Sequence, residues 1–159
     1  MRTALAATLA TAAIATAASA DKGSFRLHLL HTNDTESKLL YPASNLADYG
    51  GAARFKTKVD MMRAEAAADR AAVVMVSSGD NYLAGPEFNA SLSLPAGSTY
   101  FDSIALQAIG YDSICLGNHD FDFGTEVLAT FVSGFTDGTP FLSSNLDFSA
   151  VPSLQNLVE

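Results

Sequence analysis

The chain has 159 residues, with 17 Asp and Glu against 9 Lys and Arg, for a formal charge of −8. Hydrophobic residues make up 48%, and there is a single cysteine. The charge excludes a phosphate-backbone binder, so no nucleic-acid partner is expected. The apolar fraction excludes a disordered chain, and one cysteine excludes an internal disulfide framework.

The N-terminus reads as an export signal. Met1 and Arg2 give a positive start, Thr3 to Ala18 are almost all Ala, Thr, Leu and Ile, and Ala18-Ser19-Ala20 is a small-x-small cleavage pattern. Only Leu5, Leu9 and Ile14 in this stretch are strongly apolar, too few for a transmembrane anchor. Residues 1–20 are therefore assigned to a signal peptide and residues 21–159 to the mature domain. Loss of Arg2 leaves the mature chain more negative still. No later stretch is apolar enough to cross a bilayer, so the product is expected in the periplasm or secreted, with no membrane contact after cleavage. Cys115 lies in an apolar run and reads as a buried thiol.

In chain order, residues 25–32 alternate and then turn fully apolar, as a strand does. Residues 35–50 are polar, with Pro42 and a Gly50-Gly51 pair, and read as a loop. Ala52, Phe55, Val59, Met62 and Ala66 then form one helical stripe, and the helix extends to about Arg70. Ala72 to Val76 is a continuous, β-branched run suited to a strand buried on both faces. Residues 81–98 are rich in Gly, Pro, Ser and Asn and read as one long loop. Thr99 with Asp102 resembles a capping box. It opens a helix whose expected apolar face is Phe101, Ile104, Ala105, Ala108 and Ile109, closed by Gly110. Ser113 to Leu116 is a third strand, Thr125 to Val132 a third helix ended by Gly134, and Phe141 to Leu146 a fourth strand. Beyond Leu146 neither a helix nor a capping strand is expected, which reads as a fragment of a longer protein. The β-α-β-α-β-α-β order defines an α/β domain with parallel strands and right-handed crossovers.

Polar clusters follow three of the strands: Asn33-Asp34-Thr35-Glu36, Ser78-Gly79-Asp80-Asn81, and Gly117-Asn118-His119-Asp120-Phe121-Asp122. Ligands of open α/β sheets bind beyond the carboxyl ends of the strands. Neighbouring parallel strands would gather these side chains at one edge. In extended backbone Asp34 and Glu36 would point the same way. So many carboxylates converge tolerably only around positive charge, and the donor mix suits divalent Mn, Zn, Fe, Mg or Ca. His28 and His31 sit within the first strand and read as structural. Asn89-Ala90-Ser91 is a glycosylation sequon, meaningful only in a glycosylating pathway.

Leu30-His31-Thr32-Asn33-Asp34, Ser78-Gly79-Asp80-Asn81 and the block from Gly117 to Gly124 resemble the calcineurin-like metallophosphatases, in particular the 5′-nucleotidase family. Tyr111-Asp112 and Pro140-Phe141-Leu142-Ser143-Ser144-Asn145 are also similar. The resemblance covers about residues 25–147. It implies one half of an αββα sandwich, incomplete at the C-terminus, and a two-metal site holding Mn, Zn, Fe or Mg. Asp34 would bind the first metal, Asp80 would bridge both, and Asn118 would bind the second and touch the phosphate. Metal-bound hydroxide would attack phosphorus in line. His119 would lie over the leaving oxygen, contacting substrate, with Asp122 orienting it and favouring its protonated form. The implied substrate is a small phosphate ester, a nucleotide above all.

Two departures qualify that expectation. The family has Asp-x-His at its first motif, whereas the third residue here is Glu36, a harder donor that would shift preference towards Mn or Mg. The family also takes histidine ligands from a later part of the domain, and a separate C-terminal domain recognises the nucleotide. The chain alone is therefore expected to be poorly active. The alternatives are a catalytically degenerate metal-binding module, and hydrolysis of a cyclic phosphodiester, a nucleotide-sugar or a sulfur ester.

Overall fold

The computed structural model describes residues 24–40 and 50–159. The expected signal peptide and part of the expected 35–50 loop lie outside these residues. Four strands, β1 (Leu27–Thr32), β2 (Ala72–Ser77), β3 (Ser113–Cys115) and β4 (Phe141–Leu142), form one parallel sheet in the order β1-β2-β3-β4. Helices α1 (Ala52–Ala68), α2 (Pro86–Leu92), α3 (Phe101–Ile109) and α4 (Thr125–Ser133) fall between them, with a 3₁₀ turn at His119–Phe121.

Register sets which residues face the helices. Leu30 pairs with Met75, Ser77 with Ile114, and Ile114 with Phe141. All five are buried, and they share one face of the sheet. The apolar residues among them join Val59 of α1, Phe88 of α2, Leu106 and Ile109 of α3, and Leu128, Phe131 and Val132 of α4 in one core. On the opposite face of β1, Leu27 and Leu29 remain exposed. The α1 stripe is as expected, with Val59 and Ala66 buried and Phe55 and Met62 packed against the core.

The expected 81–98 loop contains a helix. Gly85 precedes α2, and Pro86 occupies its first turn, where a missing N–H costs nothing. Phe88 is buried and stacks on Tyr82, with centroids 4.3 Å apart. A seven-residue helix this rich in polar residues is held by the contacts of Phe88 and Ser91 rather than by periodicity.

The expected cap and apolar face of α3 are both displaced. Tyr100 is the N-cap, and its own side chain makes no capping hydrogen bond. Phe101 and Ile104 are exposed, whereas Asp102, Ser103, Leu106 and Ile109 are buried. Hydrogen bonds to other helices meet the buried serines. Ser103 Oγ donates to the Phe131 carbonyl at 2.7 Å, and Ser91 Oγ accepts from the Phe101 N–H at 3.0 Å. Burial holds the Asp102 carboxyl above its ordinary range. Gly110 ends the helix in the left-handed conformation, as expected.

The last residues also depart from expectation. Val158 bridges Phe141 in parallel, Glu159 N–H donates to the Phe141 carbonyl at 2.8 Å, and Leu154 is buried. The segment adds a short pairing beside β4, which the Pro152 and Ser153 turn residues mask in the sequence. Cys115 is half-buried rather than enclosed.

Phe131 is the hub of the aromatic core. It is fully buried and meets Tyr82, Phe135 and Phe141 edge-on, at 4.8, 5.5 and 5.7 Å. Phe131→Ala is expected to cost about 3–5 kcal/mol in urea unfolding. A loss below about 1 kcal/mol would place the core elsewhere.

Candidate active site

Strands β1, β2 and β3 end side by side at Thr32, Ser77 and Cys115. The three polar clusters therefore emerge at one sheet edge, as the parallel order requires. The loops are tied to one another by backbone. Asp34 N–H donates to the Gly79 carbonyl at 3.1 Å, Glu36 N–H to the Asp80 carbonyl at 3.1 Å, and Ser37 N–H to the Asn81 carbonyl at 3.5 Å. Thr35 Oγ1 adds a bond to the Asn81 carbonyl at 2.9 Å. The first loop thus runs alongside the second.

Asp34 and Glu36 do not lie in extended backbone. Asp34, Glu36, Ser37 and Asp80 all have positive φ, between 46° and 56°. The alternation expected of a strand fails because the chain turns to follow the second loop. Non-glycine residues in this region are uncommon, and such strain concentrates at functional sites.

The second and third loops meet through Asp120, whose role the sequence reading missed. Its carboxylate is fully buried and accepts four N–H bonds. Oδ2 takes Asp80 N–H at 3.1 Å, Gly117 N–H at 2.8 Å and Asn81 Nδ2 at 3.0 Å, while Oδ1 takes Asn81 N–H at 2.8 Å. The Tyr82 hydroxyl donates to the Asp120 backbone carbonyl. Burial, reinforced by the Asp80 charge, pushes the Asp120 carboxyl up to about 6, against the N–H donors that favour its ionised form. The signal available in the sequence was an acidic residue three positions after Gly117, a spacing at which a carboxylate can turn back onto a loop N–H.

Asp120 draws the two loops into backbone contact. A Cβ built on Gly79 would stand 2.2 Å from the Gly117 nitrogen, and one on Gly117 would stand 2.3 Å from Asp80 Oδ1. Side chains are excluded at both positions. His119 N–H then donates to Asp80 Oδ1 at 2.8 Å. Among the described residues no hydrogen bond engages Asp80 Oδ2.

His119 and Asp122 form an ion pair, with Nδ1 2.8 Å from Oδ2 and both side chains partly exposed. The Asp122 hydrogen bond, followed by the charges of Asp122, Asp80 and Glu36, raises the imidazole above its ordinary range. His119, Asp122, Asp80 and Glu36 therefore share one electrostatic neighbourhood. Asn118 precedes the 3₁₀ turn and is exposed, and Asp34 is exposed at the end of β1. His31 is held by Ser78 at 3.1 Å.

This donor set fits hard divalent cations in kind, with carboxylate oxygens from Asp34, Asp80 and Glu36 and an amide oxygen from Asn118. Among the described residues no group of three His, Cys, Asp or Glu side chains is gathered closely enough to hold a metal ion.

The fold and this edge define an open, parallel α/β domain with a carboxylate-rich ligand edge. No family model matches the chain. It is 32% identical to Protein 5NUC of Lutzomyia longipalpis, over 91% of this chain and 25% of that protein. It is 36% identical to a 5′-nucleotidase of Vibrio cholerae, over 80% of this chain and 21% of that protein. The crystal structure of a 5′-nucleotidase precursor from Thermus thermophilus superposes with a TM-score of 0.62 at 28% identity, covering 82% of this chain and 24% of that one. The chain matches 5′-nucleotidases in sequence and in fold over most of its own length, and it spans about a quarter or less of these relatives.

A raised imidazole makes the His119–Asp122 pair pH-dependent in a definite direction. Its stabilisation is present below about pH 6.5 and fades as pH rises through the raised value. In an NMR titration the His119 ring should titrate above 6.5. Asp122→Asn should bring it down towards the ordinary value, and no movement would show that the pair does not form in solution.

Proposed function

We propose that the protein carrying this chain is an exported, metal-dependent phosphoesterase that hydrolyses nucleotide phosphate esters. The observation that carries the reading is the single sheet edge at which Asp34, Glu36, Asp80, Asn118 and the His119–Asp122 pair gather. The 5′-nucleotidases among the relatives support the substrate class. Export is supported by the Ala18-Ser19-Ala20 pattern. No described helix is long and apolar enough to cross a membrane.

Asp34, Glu36, Asp80 and Asn118 would hold the cations. When bound, divalent metals supply an activated water and neutralise phosphate oxygens. The rest of the chemistry belongs to the chain. Asp122 fixes the imidazole through Nδ1, which leaves Nε2 to meet the ester's leaving oxygen. A protonated His119 gives that oxygen its proton as the P–O bond breaks. Asn118 offers its amide to a phosphate oxygen. Asp80 is held by the His119 N–H, so the ligand and the acid keep a fixed relation.

A second reading, a metal-binding module without turnover, is motivated by Glu36, which stands where the first motif of the family has histidine. Phosphate release from nucleoside monophosphates by the full-length protein, with added Mn²⁺, Zn²⁺ or Mg²⁺, separates the two. The enzyme reading expects release that falls about 10²–10⁴-fold in His119→Ala while bound metal persists. Retained metal with no release under any cation would establish the binding module. Equal, near-zero metal in wild type and Asp80→Ala would overturn both.

A further inference from the structure

Asp120 faces neither solvent nor the open edge. It is enclosed, yet it is the point on which residues 80, 81 and 117 converge. Its four donors come from both sides of a sequence gap of nearly forty residues. A hydroxyl or an amide cannot replace it. A carboxylate alone offers two oxygens with only acceptor sites, whereas an amide would turn an N–H₂ group onto an N–H donor. The loops it joins also meet backbone to backbone at Gly79 and Gly117, and the His119 N–H to Asp80 Oδ1 and Asn81 Nδ2 to the Cys115 carbonyl are the further bonds across them.

Two ligand-bearing positions depend on that junction. Asp80 is anchored through its own N–H to Asp120 and through its Oδ1 to the His119 N–H. Asn118 and His119 lie between Gly117, which Asp120 binds, and Asp120 itself. A short arc closed at both ends by one buried carboxylate has little freedom. Tyr82, itself buried, holds the Asp120 backbone from behind.

We propose that Asp120 is a positioning residue. It fixes the separation and orientation of Asp80 relative to Asn118, and so sets the affinity of the edge for a divalent cation without touching it. The proposal rests on the metal-binding reading above. It assigns the cation affinity of the site to a residue that contributes no ligand atom. Groups that orient metal ligands typically govern affinity by about 10–100-fold.

Calorimetric titration with MnCl₂ tests it on the wild type, Asp120→Asn, Tyr82→Phe and a core variant, Phe131→Leu. The core variant serves as a control for general destabilisation, and folding of each protein is checked by circular dichroism. Asp120→Asn should weaken Mn²⁺ binding about 10–100-fold. Tyr82→Phe, the milder change, should weaken it less and in the same direction. Phe131→Leu should lower the melting temperature while leaving affinity at the wild-type value. Hydrogen exchange without metal gives an independent readout: the Asp80, Asn81 and Gly117 amides should lose protection in Asp120→Asn and keep it in Phe131→Leu. Wild-type affinity in a folded Asp120→Asn would overturn this proposal alone. An equal affinity loss in Phe131→Leu would reduce Asp120 to general stability. A wild type that takes up no Mn²⁺ would overturn the metal-binding reading and this proposal with it.

Discussion

One buried carboxylate holds the working edge of this sheet together. Asp120 gives up water entirely, and a charge in that position is tolerable only when its acceptor sites are filled. Four N–H groups fill them, and all belong to the loops that follow β2 and β3. The remaining order propagates outwards from there. Asp120 fixes the Asp80 backbone, the His119 N–H fixes the Asp80 side chain, and the Gly79 and Asp80 carbonyls receive the first loop through Asp34 and Glu36. Glycine at 79 and 117 is the steric condition for this arrangement, because any Cβ there meets backbone or the Asp80 carboxylate.

The cost of the arrangement is visible in the backbone. Asp34, Glu36, Ser37 and Asp80 occupy the left-handed region, each at about 1–3 kcal/mol. The carboxylates of Asp34, Glu36 and Asp80 add like charge at the same margin, eased by the raised imidazole of His119. A fold that maximised stability would not concentrate strain and like charge at one margin. The stability that sustains it comes from the opposite end of the molecule's chemistry, the aromatic core of Tyr82, Phe88, Phe131, Phe135 and Phe141 under the sheet. Tyr82 belongs to both, with its ring in the core and its hydroxyl on Asp120.

The architecture was legible because it is written in periodicity. The strand at Ala72–Val76, the α1 stripe and the glycines closing α3 and α4 each carry a local signal that the tertiary structure respects, although of that run only Met75 is fully buried and the expected burial on both faces is not reached. The misses share a physical cause, which is stabilisation by side-chain contacts between different elements rather than by periodicity. Helix α2 is anchored by Phe88 against Tyr82 and Phe123, and α3 turns Asp102 and Ser103 inward because Ser91 and the Phe131 carbonyl meet them there. The site divided in the same way. The clusters at the strand ends announced the edge, since three parallel neighbours must deliver them together. The left-handed turn of Asp34 and Glu36 and the anchoring by Asp120 were hidden, because both depend on hydrogen-bond partners more than thirty residues away.

The central claim is geometric: side chains from three loops, spaced by a carboxylate that none of them displays, form one cation-binding edge. Anomalous diffraction from crystals of the protein loaded with Mn²⁺ tests it most directly. The account predicts a manganese peak within coordinating distance of Asp80, with Asp34 and Asn118 around it and Asp120 uncoordinated behind the loops. A peak at another surface, or manganese ligated by Asp120 itself, would contradict it.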